Sequence, residues 1–242
     1  PQPLHGRDIA GCAACDWYPY SGTAWATCVS GADAICEMGR SQSPIDLPEC
    51  HSVAESTNLT VAWGGTQEVT LVNTGHTLEM RPSVAGSMEV DGMRYTLLQC
   101  HLHHGSEHTV GGHQYDMGVH CVHEKVNPTD KYTHAVIGRF FEVSTAIGAV
   151  NNFFSIIEDD LPRRPEDHGR RLTTEVVNLE GLLHGANLMH YWSYLGSLTT
   201  PGCAEVVEWK VLMDVGTLSA QQLLLFQESI GSWGGSGNFR PP

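Results

Sequence analysis

The sequence predicts a mainly β (α+β) protein organised as a single domain over residues 1–242, with a few short surface helices. Three observations carry this. Short apolar runs alternate at period two from Leu59 to Val150, and glycines and asparagines punctuate them, as antiparallel strands and their turns require. No repeat, linker or composition break divides the 242 residues. Hydrophobic residues make up 41% and charged residues 17%, enough apolar surface for a sizeable core and too much for disorder.

Taken in order, residues 1–40 are rich in Gly, Ala and Cys with scattered aromatics (Trp17, Tyr18, Tyr20, Trp25), and read as an irregular, disulfide-stapled entry segment. Strand candidates follow at Leu59-Val61-Trp63, Val69-Leu71, Leu78-Met80, Met88-Val90, Tyr95-Leu97, Val119-Cys121 and Ala135-Ile137. Residues 146–160 carry Val150, Phe153, Phe154 and Ile157 near helical spacing and run into a proline at 162, so they predict a short helix. Residues 163–172 read as a charged surface loop. Ser219 to Glu228 predicts a second helix with Ser219 as N-cap, and the glycine-rich tail from Gly231 reads as loop.

The formal charge is 13 − 27 = −14, and lysine occurs only at 125, 131 and 210. That balance argues against nucleic acid and anionic membrane surfaces, both of which recruit cations. It favours a soluble protein, in salty surroundings among others. No apolar run approaches the roughly 20 residues of a membrane span. The chain begins at Pro1 rather than Met, as it would after removal of a leader.

Eight cysteines stand at 12, 15, 28, 36, 50, 100, 121 and 203. An even, front-loaded set predicts disulfides and an oxidising compartment, secreted or luminal. Buried reduced thiols are the plainer alternative. Cys12-x-x-Cys15 has the spacing of a metal knuckle or redox pair, but no second CxxC and no βαβ pattern accompany it, so a structural bridge ranks first. Asn58-Leu59-Thr60 is a glycosylation sequon.

Fourteen histidines are unevenly spread, with seven between His101 and His123. His101 and His103, two apart on a strand-like stretch, project from one face. The segment from Gly105 to Gly112 is long enough to turn the chain and bring His120 alongside on a second strand. Three imidazoles converging from two strands fit zinc and leave its fourth position for water. Neutral ligands leave the dication's charge uncompensated, which acidifies bound water from about 15.7 to about 7. Copper or non-haem iron also accepts imidazole, although facial-triad iron wants a carboxylate that has no obvious candidate at matching spacing.

At this point the sequence resembles a family. The run from Gln99 to Val110 (QCHLHHGSEHTV) is similar to the zinc-strand signature of α-class carbonic anhydrases, in particular secreted, algal-like members. Ser41-Gln42-Ser43-Pro44-Ile45-Asp46, Asn73-Thr74-Gly75-His76 and the run from Tyr191 to Pro201 (YWSYLGSLTTP) agree in order and approximate spacing, from about Trp17 to Arg240. The resemblance implies a large twisted, mostly antiparallel sheet with short surface helices and zinc at the base of a conical cleft. It implies reversible hydration of carbon dioxide to bicarbonate and a proton, with one zinc ion held by His101, His103 and His120. By the same likeness Thr199 accepts a hydrogen bond from the zinc hydroxide and donates its own O–H to Glu107, Thr200 helps hold bicarbonate, and His76 is the proton shuttle. Val122, Val136, Leu198, Val207 and Trp209 match the apolar wall for carbon dioxide. Gln99 and Asn238 match groups that hold the imidazoles, and Tyr20, His108 and Tyr194 match supporting hydrogen-bond groups. Cys36 and Cys203 align with a disulfide of secreted members, which leaves Cys12, Cys15, Cys28 and Cys50 for up to two more bridges in one of three pairings. Cys100 and Cys121, beside the ligands on the strands' opposite face, read as buried thiols.

Two positions depart from the pattern. The family carries a glutamate two residues before the third ligand, where this chain has Gly118, and His104 replaces an aromatic. Water, a backbone carbonyl or Asp116 are the candidates to replace the missing carboxylate. The rivals to the lyase are a non-catalytic carbonic-anhydrase-like binding or matrix module and a zinc esterase. Nothing in the sequence sets an oligomeric state.

Overall fold

The structure is a computed structural model that describes residues 35–49, 58–74, 76–146, 149–161, 171–200, 202–230 and 237–242. Most of the entry segment, Tyr20, Cys12, Cys15, Cys28, Cys50, Gly75, Pro201, the loop at 163–170 and the tail at 231–236 lie outside the described residues.

Helix α1 (Ile35–Met38) is followed by β1 (Asp46–Leu47), β2 (Thr60–Ala62), β3 (Thr66–Asn73), β4 (Leu78–Pro82) and β5 (Ser87–Val90). Next come β6 (Met93–His104), β7 (Thr109–Val110), β8 (His113–Gln114), β9 (Met117–Lys125) and β10 (His134–Val143). Helix α2 (Asn152–Ile157) runs into a 3-10 turn at Glu158–Asp160, and β11 (Arg171–Asn178) into another at Leu179–Leu183. β12 (Tyr191–Gly196), β13 (Val207–Leu212), β14 (Gly216–Leu218) and α3 (Ala220–Ile230) complete the order. The seven strand candidates of the sequence all fall on or against strands, and both expected helices form. The loop reading of 163–172 ran two residues too far, because Arg171 and Leu172 already belong to β11, opposite Val72 and its neighbours on β3.

Eleven strands form one mixed sheet in the order β11-β3-β4-β6-β9-β10-β13-β12, with β14 on β10, β5 on β6 and β2 on β5. Among the described residues of this sheet only β13 and β14 pair parallel, both with β10; a small separate sheet joins β1, β7 and β8, with β1 parallel to β7. Period-two alternation sorts the central strands into two faces. Val119 and Cys121 of β9 and Ala135 and Ile137 of β10 enter the larger core, whereas Val122 and Val136 enter a smaller apolar cluster with Val207 and Trp209.

The helices cover the larger core. Asn151 caps α2 by accepting from the N–H groups of Phe153 and Phe154, and Phe154 packs edge-on against Phe141 of β10 and Phe226 of α3. Ser219 Oγ accepts from Gln222 N–H while Gln222 Oε1 accepts from Ser219 N–H, both at 3.1 Å, the reciprocal cap expected of Ser219. Two of the three lysines are also buried here: Lys125 Nζ donates to Glu208 at 2.7 Å and Lys210 Nζ to Ser193 at 2.8 Å. Lys125 is thereby ion-paired, and the Lys210 ammonium also stands 4.0 Å from Asp91 Oδ2, the compensation that burial demands.

Two disulfides are present among the described residues. Cys36–Cys203 links α1 to the chain after Thr200, as the resemblance implied. Cys100 and Cys121 are bonded to each other and are not the buried thiols expected from sequence. The reason is register: the two cysteines are directly opposed on β6 and β9 with side chains on the same face.

Candidate active site

β6 and β9 build the centre of the site. Their register sets His101 opposite His120 and His103 opposite Gly118, so the three histidines share one face of the sheet. One ligand atom from each of the three lies within 4.8 Å of the others, and the ring centroids are 4.6–5.3 Å apart.

Two rings are held from behind. His101 Nδ1 bonds to Gln99 Oε1 at 2.8 Å, and His103 Nδ1 bonds to the carbonyl oxygen of Asn238 at 2.8 Å. Both oxygens can only accept, so each Nδ1 carries a proton and each Nε2 is the nitrogen turned toward the other rings. Burial, and after it the proximity of the other histidines, holds His101 and His120 well below the ordinary imidazole range, which leaves them neutral donors.

The chain leaves β6 through Gly105, whose φ of +76° suits glycine, and this turn delivers Glu107 to the trio. Glu107 Oε2 stands 3.6 Å from both His103 Nε2 and His120 Nδ1. His103 Nε2 and Glu107 Oε2 are buried and find no hydrogen-bond partner among the described residues. Lone pairs of neutral nitrogens and a carboxylate aimed at one dry volume are costly unless a cation sits between them. The donor set, three imidazoles with no thiolate, suits zinc.

Glu107 Oε1 accepts the backbone N–H of Arg240 at 2.8 Å, and the Thr199 hydroxyl donates to the same carboxylate. Burial raises the Glu107 pKa, while His103, Thr199 and Arg240 oppose the rise. Thr199 is buried and Thr200 is exposed beside it. The five wall residues, Val122, Val136, Leu198, Val207 and Trp209, all fall in the smaller apolar cluster, and the Trp209 ring lies 4.8 Å from that of His120.

His108 Nε2 bonds Tyr194 Oη at 2.7 Å, and Tyr194 Oη donates to Ser43 Oγ at 2.8 Å. Burial pushes His108 down to about 3 and Tyr194 above the ordinary phenol, so both stay neutral. His76 is half-buried between β3 and β4, outside the histidine trio, and its carbonyl accepts from Asn238 Nδ2 at 2.8 Å.

Three supporting residues escaped the sequence reading. Ser43 accepts from Tyr194 and from Ser197 N–H, and Ser197 Oγ accepts from Ser43 N–H, which fixes the chain just before Leu198 and Thr199. Arg240 reaches Gln42, the Ser43 carbonyl and the Cys36 carbonyl with its guanidinium while its N–H holds Glu107. The motif from Ser41 to Asp46 was the available signal, though it carried no role.

Gly118 is buried with no side chain to serve His120, and an added Cβ would stand 3.2 Å from Ser106 Cα. Asp116 does not fill the gap: its Oδ2 accepts the N–H of Val143 at 2.7 Å.

Fold and site together define a class, a β-sheet protein whose adjacent strands gather three imidazoles suited to a transition-metal dication. The eukaryotic-type carbonic anhydrase family profile matches residues 22–242. A carbonic anhydrase of Nostoc sp. is 32% identical over 200 residues, covering 81% of this chain and 71% of the relative. Dioscorin DB3L of Dioscorea polystachya is 30% identical over 198 residues, covering 81% and 69%. The α-carbonic anhydrase of Thermovibrio ammonificans, solved with the inhibitor sulfanilamide, superposes with a TM-score of 0.75 at 33% identity, covering 93% of each chain. The chain belongs to the carbonic anhydrase family and is an enzyme of that zinc-dependent, carbon-dioxide-hydrating kind.

Proposed function

We propose that this chain interconverts carbon dioxide and bicarbonate with one zinc ion held by His101, His103 and His120. The carrying observation is the convergence of His103 Nε2, His120 Nδ1 and Glu107 Oε2 on one buried volume. Bound there by uncharged ligands, zinc would supply hydroxide near neutral pH.

The remaining work falls to side chains. Glu107, holding the Thr199 proton, forces the Thr199 oxygen to accept, which orients the attacking oxygen toward the substrate carbon. Val122, Val136, Leu198, Val207 and Trp209 offer an apolar wall suited to a small linear substrate, and Thr200 stands where bicarbonate would be held. Gln99 and Asn238 fix the ring orientations of two ligands. His108, Tyr194 and Ser43 brace the same face. His76, an imidazole outside the trio, relays the released proton to solvent.

Two disulfides and the exposed Asn58 and Thr60 sequon positions favour a secreted or luminal, glycosylated protein whose catalytic domain occupies the whole chain. A relative of similar identity is called dioscorin rather than carbonic anhydrase, which makes a binding module the second reading. The intact trio favours the enzyme over a binding module, and the small wall favours esters only as side substrates. Stopped-flow measurement of carbon dioxide hydration, before and after chelation and zinc return, tests the reading. Activity that vanishes with the metal and returns with it is expected; none at saturating zinc overturns it.

A further inference from the structure

On the face of β6 and β9 away from the histidines, the disulfide-bonded Cys100 and Cys121 form the rung next to His101 and His120. Both cysteines are wholly buried. Just before this rung the pairing of the two strands shifts register between Leu97 and Gln99. An irregularity of this kind is where strand pairing can slide, and a one-residue slide of β6 would carry His101 and His103 to the opposite face. The bond fixes the alignment immediately beyond the shift.

The third ligand also needs such support. His101 and His103 are held by Gln99 and Asn238, whereas bare Gly118 stands two residues before His120 and Asp116 is committed to Val143. We infer that the Cys100–Cys121 bond is a positioning element for the metal ligands, a covalent tie that holds His120 against His101 where no carboxylate orients it. This rests on the proposed zinc centre.

The test compares Cys100→Val/Cys121→Val with wild type and with Cys36→Ala/Cys203→Ala, which removes the other bond. Zinc affinity is measured by chelator competition, ligand geometry by the visible spectrum of the cobalt(II)-substituted proteins, and stability by thermal unfolding of the metal-free forms. Loss of the rung should weaken zinc binding about tenfold or more and alter the cobalt bands. Loss of Cys36–Cys203 should lower the unfolding temperature and leave affinity and bands unchanged. Should the valine pair not fold, Cys100→Ala/Cys121→Ala is measured in its place. Equal zinc affinity with and without the bond overturns the inference alone, as do free thiols at both positions in a wild-type protein that binds zinc tightly. A wild-type protein that binds no zinc overturns the zinc centre and this inference with it.

Discussion

The backbone carbonyl of Asn238 meets the ring of His103 across 135 residues of sequence, at 2.8 Å. The same asparagine spends its side chain on three more bonds: Nδ2 to the carbonyls of His76 and Leu102, and Oδ1 from the N–H of His104. The end of the chain thus clamps a ligand strand and the His76 loop together.

Asn238→Ala keeps the carbonyl but frees it to wander. Zinc affinity should fall about tenfold, and the metal-free protein should lose about 1–3 kcal/mol. Chelator competition and urea unfolding check both. Unchanged zinc binding would deny that the tail orients His103.

His76→Ala should slow turnover in dilute buffer and be rescued by added imidazole, since the small base can diffuse where the side chain stood. Stopped-flow rates across an imidazole series read this directly. A variant as fast as wild type in dilute buffer would remove His76 from the proton path.

Gly118→Ala places a β-carbon 3.2 Å from Ser106 Cα, a backbone atom that cannot swing aside. Overpacking of this kind should cost about 1–3 kcal/mol in urea unfolding of the metal-free protein. A neutral outcome would mean that the turn after β6 gives way easily.

The histidine trio was legible because its signal is local: two histidines at strand spacing and a third in another strand need only period-two geometry. The later strands were not. β13 reads Val-Glu-Trp-Lys-Val-Leu and went unread although it alternates apolar and charged residues; its charged face is covered too, with Glu208 half-buried against Lys125 and Lys210 buried against the Ser193 hydroxyl. β11 pairs with β3 at the far side of the sheet and shows Thr-Thr-Glu where alternation would help. The Cys100–Cys121 bond depends on cross-strand register, which no single segment encodes. Ser43 and Arg240 act through partners more than 130 residues away, so only tertiary contact reveals them.

His123 accepts from Trp63 Nε1 at 3.1 Å, and burial pushes its pKa down to about 4 from 6.5. The unfolded chain therefore binds a proton between those values that the folded one refuses. Its contribution is complete above about pH 6.5 and is lost as pH falls, by about 1.4 kcal/mol per unit. His123→Gln should flatten the metal-free stability profile between pH 6 and 4 relative to wild type, by roughly one proton's slope. Superimposable slopes from unfolding at several pH values would refute the assignment.

The Cys36–Cys203 bond closes a span of 167 residues, so removing it should lower stability by about 2–5 kcal/mol while zinc stays bound. Calorimetry with metal analysis of Cys36→Ala/Cys203→Ala checks it. An unfolding temperature equal to wild type would be the contrary result.

Lys125 and Lys210 lie inside the molecule with their ammonium groups engaged, whereas Lys131 is exposed. An amine-reactive dye or resin would therefore find one accessible side chain on the folded surface. Attachment to a solid support through Lys131 would hold every molecule in the same orientation, a geometry that most proteins of this size, with lysines on every side, do not offer.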